Sequence, residues 1–345
     1  MSYGAIYASA LRQELAARSR LYAQGRAHVE SYGNPPVIVY APEDERHGNF
    51  FDPAYEAIAA NPNWMRRFNK VHAQAARSLP KPAIDAARRW RELDSCMSSD
   101  ALLMNIFCAP GAVESMLVQN TLGFEAGAKP IFGWKAKVPL RNGRLDATEI
   151  DLRLGLLLIE AKLTESDFQS RATAYVEAYR DLDAVFDREL LPRVPLPPIR
   201  RKERTEFPED YSQEPEEVPV SLAEQAQLLR GVQAQMPSRF VSDPPGEPGY
   251  AGYQLIRNVL AAHATGCSFC VIHDERRPDL REAWFQVMSA VRNAEMRVRL
   301  KVLTWQELAA LVPEDLQKFL DVKYGIVAPG KIASPVGEAA GLDPI

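Results

Sequence analysis

Apolar positions recur at helical spacing over 5–30, where Leu11, Leu15 and Leu21 stand in an Ala-, Arg- and Glu-rich segment without proline. That pattern predicts one long amphipathic helix. Pro35, Pro36, Pro42, Pro53 and Pro62 punctuate the next stretch, and helical spacing resumes at 53–60, 63–78 and 81–92. Ser98 and Ser99 are N-cap candidates for a helix through Phe107, with Asp100 in its acidic first turn. Pro110-Gly111 ends that helix, and another is expected over 112–122. The period then changes. Segments 131–138, 147–153 and 156–163 read as strands separated by turns at Gly143 and Gly155. Helical spacing returns over 167–186. The last third alternates: helix 251–264, strand 268–273, helix 278–293, strand 297–303, then helices 304–312 and 313–323. Helices interleaved with short β-branched runs predict an α/β fold, a mixed central sheet flanked by helices.

Composition narrows the picture. The 345 residues are 46% hydrophobic and 25% charged, the balance of a globular chain long enough for a sizeable core. A net charge of −4 gives no global basicity, so nucleic-acid binding would need local patches. Four cysteines (Cys96, Cys108, Cys267, Cys270) in so long a chain do not make a disulfide framework. The N-terminal segment carries no apolar run ahead of a cleavage site. The longest aliphatic run, 156–159, is far short of the roughly 18 residues a membrane span needs. The expectation is a cytoplasmic protein with no membrane partner.

The densest chemistry lies in the segment 148–162, Thr-Glu-Ile-Asp-Leu-Arg-Leu-Gly-Leu-Leu-Leu-Ile-Glu-Ala-Lys. A hairpin turning at Leu154-Gly155 pairs Arg153 with Leu156, Leu152 with Leu157 and Asp151 with Leu158. Side chains alternate along a strand, so Leu158, Glu160 and Lys162 share a face, and Asp151 joins them diagonal to Glu160. Burying such charges costs several kcal/mol per ion, by order of magnitude, unless they are paired. Two adjacent carboxylates repel unless a cation sits between them, and a hard divalent ion such as Mg²⁺ suits oxygen ligands. The alternative is a solvated edge strand with an ordinary ion pair. The acid-x-lysine triplet is itself common: Asp321-Val322-Lys323 repeats it at the end of a helical pattern, with no upstream acid on a paired strand.

With Asp151 ahead of Glu160-Ala-Lys162, the chain resembles the PD-(D/E)XK nuclease superfamily. More specifically it is similar to a bacterial family of restriction endonucleases of that fold. The landmarks are HGNFFDPAYEAIAANPNWMRRFNKVH (47–72), SSDALLMNIF (98–107), TEIDLRLGLLLIEAKLTE (148–165), YQLIRNVLAAH (253–263), LTWQELAALV (303–312) and FLDVKYGI (319–326). The resemblance implies a restriction-endonuclease-like core over 111–326, interrupted by a Pro- and charge-rich insertion at about 191–249. A mainly helical accessory region over 1–110 precedes it and a tail over 327–345 follows. It further implies a Mg²⁺-dependent endodeoxyribonuclease, with Mn²⁺ able to substitute and double-stranded DNA as partner. Asp151, Glu160 and the Ala161 carbonyl would bind the metal, and Lys162 would position the attacking water. A helix-borne acid often joins such sites; Glu114 is the candidate and Glu125 its competitor. Ile150 stands where the superfamily motif often has proline.

Other residues carry weaker signals. Gln169, Tyr175 and Tyr179 on the helix expected after the lysine strand could touch substrate, or form a polar face with core tyrosines. Gln254, Arg257 and Asn258 on the later helix could reach the site, a phosphate, or only their packing neighbours. Cys267-x-x-Cys270 lies in a strand-like run, where positions three apart face opposite sides, and reads as buried packing ahead of zinc. His47-Gly48-Asn49 reads as a turn or a support to the site. Arg66, Arg67 and Lys70; Arg88 and Arg89; 200–204; and Arg276 with Arg277 are options for phosphate contact or solvated faces. Rival functions are a same-fold nuclease acting on RNA or in DNA repair, a silent nucleic-acid-binding module, and an interaction protein using the 191–219 stretch. Cutting both strands would favour a homodimer.

Overall fold

The computed structural model describes residues 3–33, 35–71, 89–196 and 248–335. α1 (Tyr3–Tyr22) stops short of the predicted helix end, because Gly25 turns the chain at φ 75°. The residues after it form β1 (His28–Glu30) paired with β2 (Ile38–Tyr40), followed by the small hairpin of β3 (Pro42–Glu43) and β4 (Arg46–His47). α2 (Asp52–Ala60) and α3 (Pro62–Phe68) share Asn61, whose side chain accepts the Asn63 and Trp64 N–H groups as the N-cap of α3. The helix expected over 63–78 ends at Phe68 and gives way to a bridge between Val71 and Arg91; most of that expected over 81–92 lies outside the described residues. α4 (Ser99–Phe107) is capped by Ser98, as its sequence predicts. α5 (Met116–Leu122) starts later than the expected 112 because residues 111–114 form a turn.

β5 (Ile131–Pro139), β6 (Leu145–Leu154) and β7 (Leu157–Ala161) form an antiparallel meander. The predicted helix over 167–186 is broken into β8 (Ser170–Ala172), α6 (Thr173–Glu177) and α7 (Leu182–Val185). β8 and β9 (Arg193–Pro195) flank β10 (Pro248–Ala251) in a three-stranded sheet. The pull toward sheet pairing there overrides a weak helical propensity. The Pro- and charge-rich stretch lies largely outside the described residues. α8 (Tyr253–Thr265), β11 (Ser268–His273), α9 (Pro278–Ser289), α10 (Ala294–Arg297), β12 (Leu300–Thr304), α11 (Trp305–Ala309) and α12 (Glu314–Tyr324) complete the chain. The strand expected over 297–303 starts at Leu300, its first residue being the end of α10.

The central sheet has the order β12-β11-β7-β6-β5, with β12, β11 and β7 parallel and β6 and β5 antiparallel. It is a mixed sheet covered on both faces. Leu157, Ile159, Ala161, Cys270 and Ile272 pack toward α1, α2, α4, α11 and α12. Leu158, Phe269 and Val271 pack toward α8, α9 and the short helices α6 and α7. β7 lies in the middle of this sandwich and is buried along its whole length. Cys267 and Cys270 fall on opposite faces, as strand alternation requires.

Candidate active site

The β6–β7 register differs from the expected one. Leu154 pairs with Leu157, Arg153 with Leu158 and Leu152 with Ile159, so Gly155 and Leu156 make the turn, with Gly155 at φ 56°. The partner of each β6 residue moves two places along β7. An even slip keeps every side chain on its face, whereas an odd one would have separated the acids. One further step would set Asp151 opposite Glu160, but the ladder stops at Leu152. In place of the next strand bond, the Asp151 carboxylate accepts the Ala161 N–H at 2.8 Å.

The reason is a kink at Gly133, whose φ is 60°. Phe132 and Leu152 pack toward one face of the sheet, yet Trp134 and Ile150, the next pair, pack toward the other. A Cβ at Gly133 would lie 3.2 Å from Arg67 Nη1 and 3.5 Å from Glu149 Oε1. Glycine therefore supplies both the left-handed backbone and room for a side-chain bridge.

That bridge is Arg67, from α3. Its guanidinium donates to Glu149 at 2.5 Å and to the Asp100 carboxylate at the start of α4. Burial works to lower its pKa, but Asp100, Glu149 and Asp151 together hold it above the ordinary arginine value. Lys70 adds an ion pair to Glu92 at 3.1 Å. Arg67 thus serves internal acids, whereas Arg66, bonded to Asn63, and Lys70, paired with Glu92, stand on an exposed face.

Glu160 and Lys162 sit at the C-terminal end of β7, 2% and 4% exposed. Lys162 Nζ lies 3.0 Å from Glu160 Oε1, and Asn258 Nδ2 of α8 donates to Glu160 Oε2 at 2.7 Å. The main chain of Lys162 is held on both sides: its N–H donates to Ile272 and its carbonyl accepts the Trp305 indole N–H at 2.9 Å. The loop after it is clamped by the fully buried Arg277, which donates to the Glu165 carbonyl at 2.7 Å and the Ser166 carbonyl at 3.1 Å while paired with Asp279. Arg276 likewise turns inward, to Asp274 and Glu14.

Electrostatically the cluster is over-supplied with negative charge. Burial, then Glu160 and Asp100, push the Asp151 carboxyl well above the usual carboxylate range, against the opposing pull of Lys162 and the Ala161 N–H. Among the described residues no group of three His, Cys, Asp or Glu side chains is placed to hold a metal ion. The available donors are two carboxylates and backbone.

Of the helix-borne acids, Glu114 is not on a helix. It stands exposed in the 111–114 turn, its carboxylate accepting the Gly111 N–H at 3.0 Å, because Ser115 is the N-cap of α5. Glu125 is also exposed. The acid that a preceding helix brings toward Asp151 is Asp100, which its sequence position marked only as a helix-start residue. Gln169 lies in the loop before β8 at φ 57°, its carbonyl accepting the Tyr253 N–H at the start of α8. Tyr175 is 59% exposed on α6. Tyr179 is buried, donating to Asp146 at 2.6 Å, with Tyr253 Oη 3.1 Å away. Arg257 is buried on α8 with its guanidinium 5.3 Å from the Tyr253 ring centroid. His47 is an internal strut, bonded to Asp94 at 2.9 Å within an aromatic cluster of Phe50, Tyr55 and Phe68.

Sequence comparison adds one finding to this geometry. Residues 9–325 match the family described as Restriction Endonuclease associating with ARP, and the chain belongs to that family. No curated protein and no solved structure matches the chain.

Proposed function

We propose, from membership of a restriction endonuclease family as premise, that the chain is a metal-dependent endonuclease hydrolysing phosphodiester bonds of DNA on a PD-(D/E)XK-type core. The observation that carries this reading is the junction of β6 and β7. There the Asp151 carboxylate replaces a strand hydrogen bond at Ala161, directly beside the buried Glu160–Lys162 pair. A structural ion pair would not require a third, uncompensated carboxylate next to it.

The residues present fit a divalent cation. Mg²⁺ is commonly held by one or two carboxylates, with waters and substrate oxygens completing its shell. Asp151 and Glu160, with the Ala161 carbonyl, would hold it, and Mn²⁺ would substitute. The Asn258 Oδ1, buried beside Glu160 with no donor, is an acceptor that a hydrated cation would satisfy. When bound, the metal supplies Lewis-acid stabilisation of the charge developing on the phosphate. Lys162 holds the attacking water against Glu160 and donates toward the phosphate. The water oxygen bonds to phosphorus in line as the P–O3′ bond breaks; the water gives up one proton to solvent and the leaving O3′ takes one from solvent, giving a 5′-phosphate and a 3′-hydroxyl. Arg67, reaching in from α3, ties the helical accessory region to the site. Cutting both strands favours a homodimer in the cytoplasm; no helix among the described residues is long and apolar enough to cross a membrane.

The test is cleavage of plasmid, single-stranded DNA and RNA by the purified chain with Mg²⁺ or Mn²⁺, alongside Lys162→Ala and Asp151→Asn. Metal-dependent DNA cutting lost in both variants supports the reading. Cutting that survives in both overturns the site, and cutting confined to RNA overturns the substrate.

A further inference from the structure

The face of α8 that meets the acid pair is polar in an otherwise apolar helix. Gln254 and Asn258 are one turn apart and Arg257 lies beside them, among buried Leu255, Ile256, Val259, Leu260, Ala261 and Ala262. Asn258 is wholly buried. A carboxylate can only accept, so the amide must present Nδ2 to Glu160, as it does at 2.7 Å. The same orientation leaves Oδ1 buried with no donor. An amide oxygen in that state carries a desolvation cost that an apolar side chain of the same size would avoid.

We infer that Asn258 is a positioning residue for the cation at Asp151 and Glu160. Its Nδ2 sets the Glu160 carboxylate, and its Oδ1 accepts a hydrogen from a water in the cation's own shell. The inference rests on the metal-dependent reading above and adds a consequence, ion selectivity. Mg²⁺ sheds its waters reluctantly, whereas Ca²⁺ takes more oxygen ligands in a looser geometry. An acceptor that reads a retained water therefore favours Mg²⁺. Partners of this outer kind change metal affinity by about 10–100-fold.

The experiment is calorimetric titration of the full-length protein, without DNA, with Mg²⁺ and separately with Ca²⁺. Wild type, Asn258→Leu and Asn258→Ser are compared. Asn258→Leu, close in size and without polar atoms, is expected to weaken Mg²⁺ about 10–100-fold and Ca²⁺ severalfold less. Asn258→Ser, which keeps a donor and an acceptor, recovers part of the Mg²⁺ affinity. If the leucine variant fails to fold, the serine variant decides by a lowered ratio of Mg²⁺ to Ca²⁺ affinity against wild type. Equal losses for the two ions, or no loss, overturn the inference. Wild type that binds neither ion overturns the metal reading itself, so the two failures are distinguishable.

Discussion

Lys162 and Lys323 each stand two residues after an acid, and each is almost completely buried, at 4% and 0% exposure. On β7, positions two apart share a face, and the Lys162 ammonium meets Glu160 at 3.0 Å. On α12, positions two apart are rotated by about 200°. Asp321 therefore faces outward, where it accepts the Ser334 N–H at 2.9 Å and the Ser334 hydroxyl at 2.7 Å. Lys323 turns inward without it, donating to the Asn49 carbonyl at 2.6 Å under the rings of Tyr22, Tyr40, Phe319 and Tyr324. Burial pushes its amine well below the ordinary lysine value. The same three-letter pattern yields a buried ion pair on a strand and a structural tie on a helix.

The sharpest way to break this comparison is to remove each ammonium. Lys162→Ala should reduce metal-dependent DNA cleavage by about 10³-fold, whereas Lys323→Met should leave the rate per folded molecule unchanged. Comparable losses in both would erase the distinction. The clamp on the Lys162 loop comes next. Arg277→Met leaves buried carbonyls and Asp279 without their donor and should cost about 3 kcal/mol in denaturant unfolding; a cost under about 0.5 kcal/mol would refute that role.

Asp151 gives a prediction of opposite sign. Its raised folded-state pKa means that the folded protein holds the proton more tightly. That stabilisation is fully present below the unfolded carboxylate value and is lost as pH rises from there through the folded one. Asp151→Asn still accepts the Ala161 N–H, so in metal-free buffer at neutral pH it should raise Tm by a few degrees while abolishing cleavage, a stability–function trade-off. A lowered Tm would contradict that charge imbalance. Lys323 runs the other way from a carboxylate. With its folded pKa depressed, wild type gains stability relative to Lys323→Met as pH rises toward the unfolded lysine value near about 10.4. Parallel Tm-against-pH curves for the two proteins would show that the buried amine does not titrate as described. The smallest effect belongs to Glu114→Gln, expected to change neither cleavage nor stability beyond about 0.5 kcal/mol, while Asp100→Asn lowers cleavage by releasing Arg67. A cleavage defect in Glu114→Gln alone would reverse that assignment.

Most helices and all five strands of the central sheet follow from the spacing of apolar positions, because each element buries one face and its period records which. The segment 167–186 does not, since its fate depended on pairing with residues near 250. Asp151, Glu160 and Lys162 were legible as a group because strand alternation is a local rule. Even the displaced register left them together, the slip being even. Asp100 and Arg67 were not identifiable as neighbours of that group, and Asn258 was one of three polar positions that could reach it, with nothing local to single it out. Helix spacing explained Asp100 as a first-turn acid, Arg67 as part of a solvated basic face, and Asn258 as one polar position on a later helix.

The sequence alone thus determined the alternation of helix and strand and the shared face of β7's acid and lysine, both set by interactions within a few residues. Only the tertiary structure decided which charges meet. Arg67 reaches Asp100 and Glu149 from 33 and 82 residues away, and Asn258 reaches Glu160 from 98. Such contacts depend on how helices dock across the sheet and on the left-handed backbone at Gly133, and no local periodicity records them.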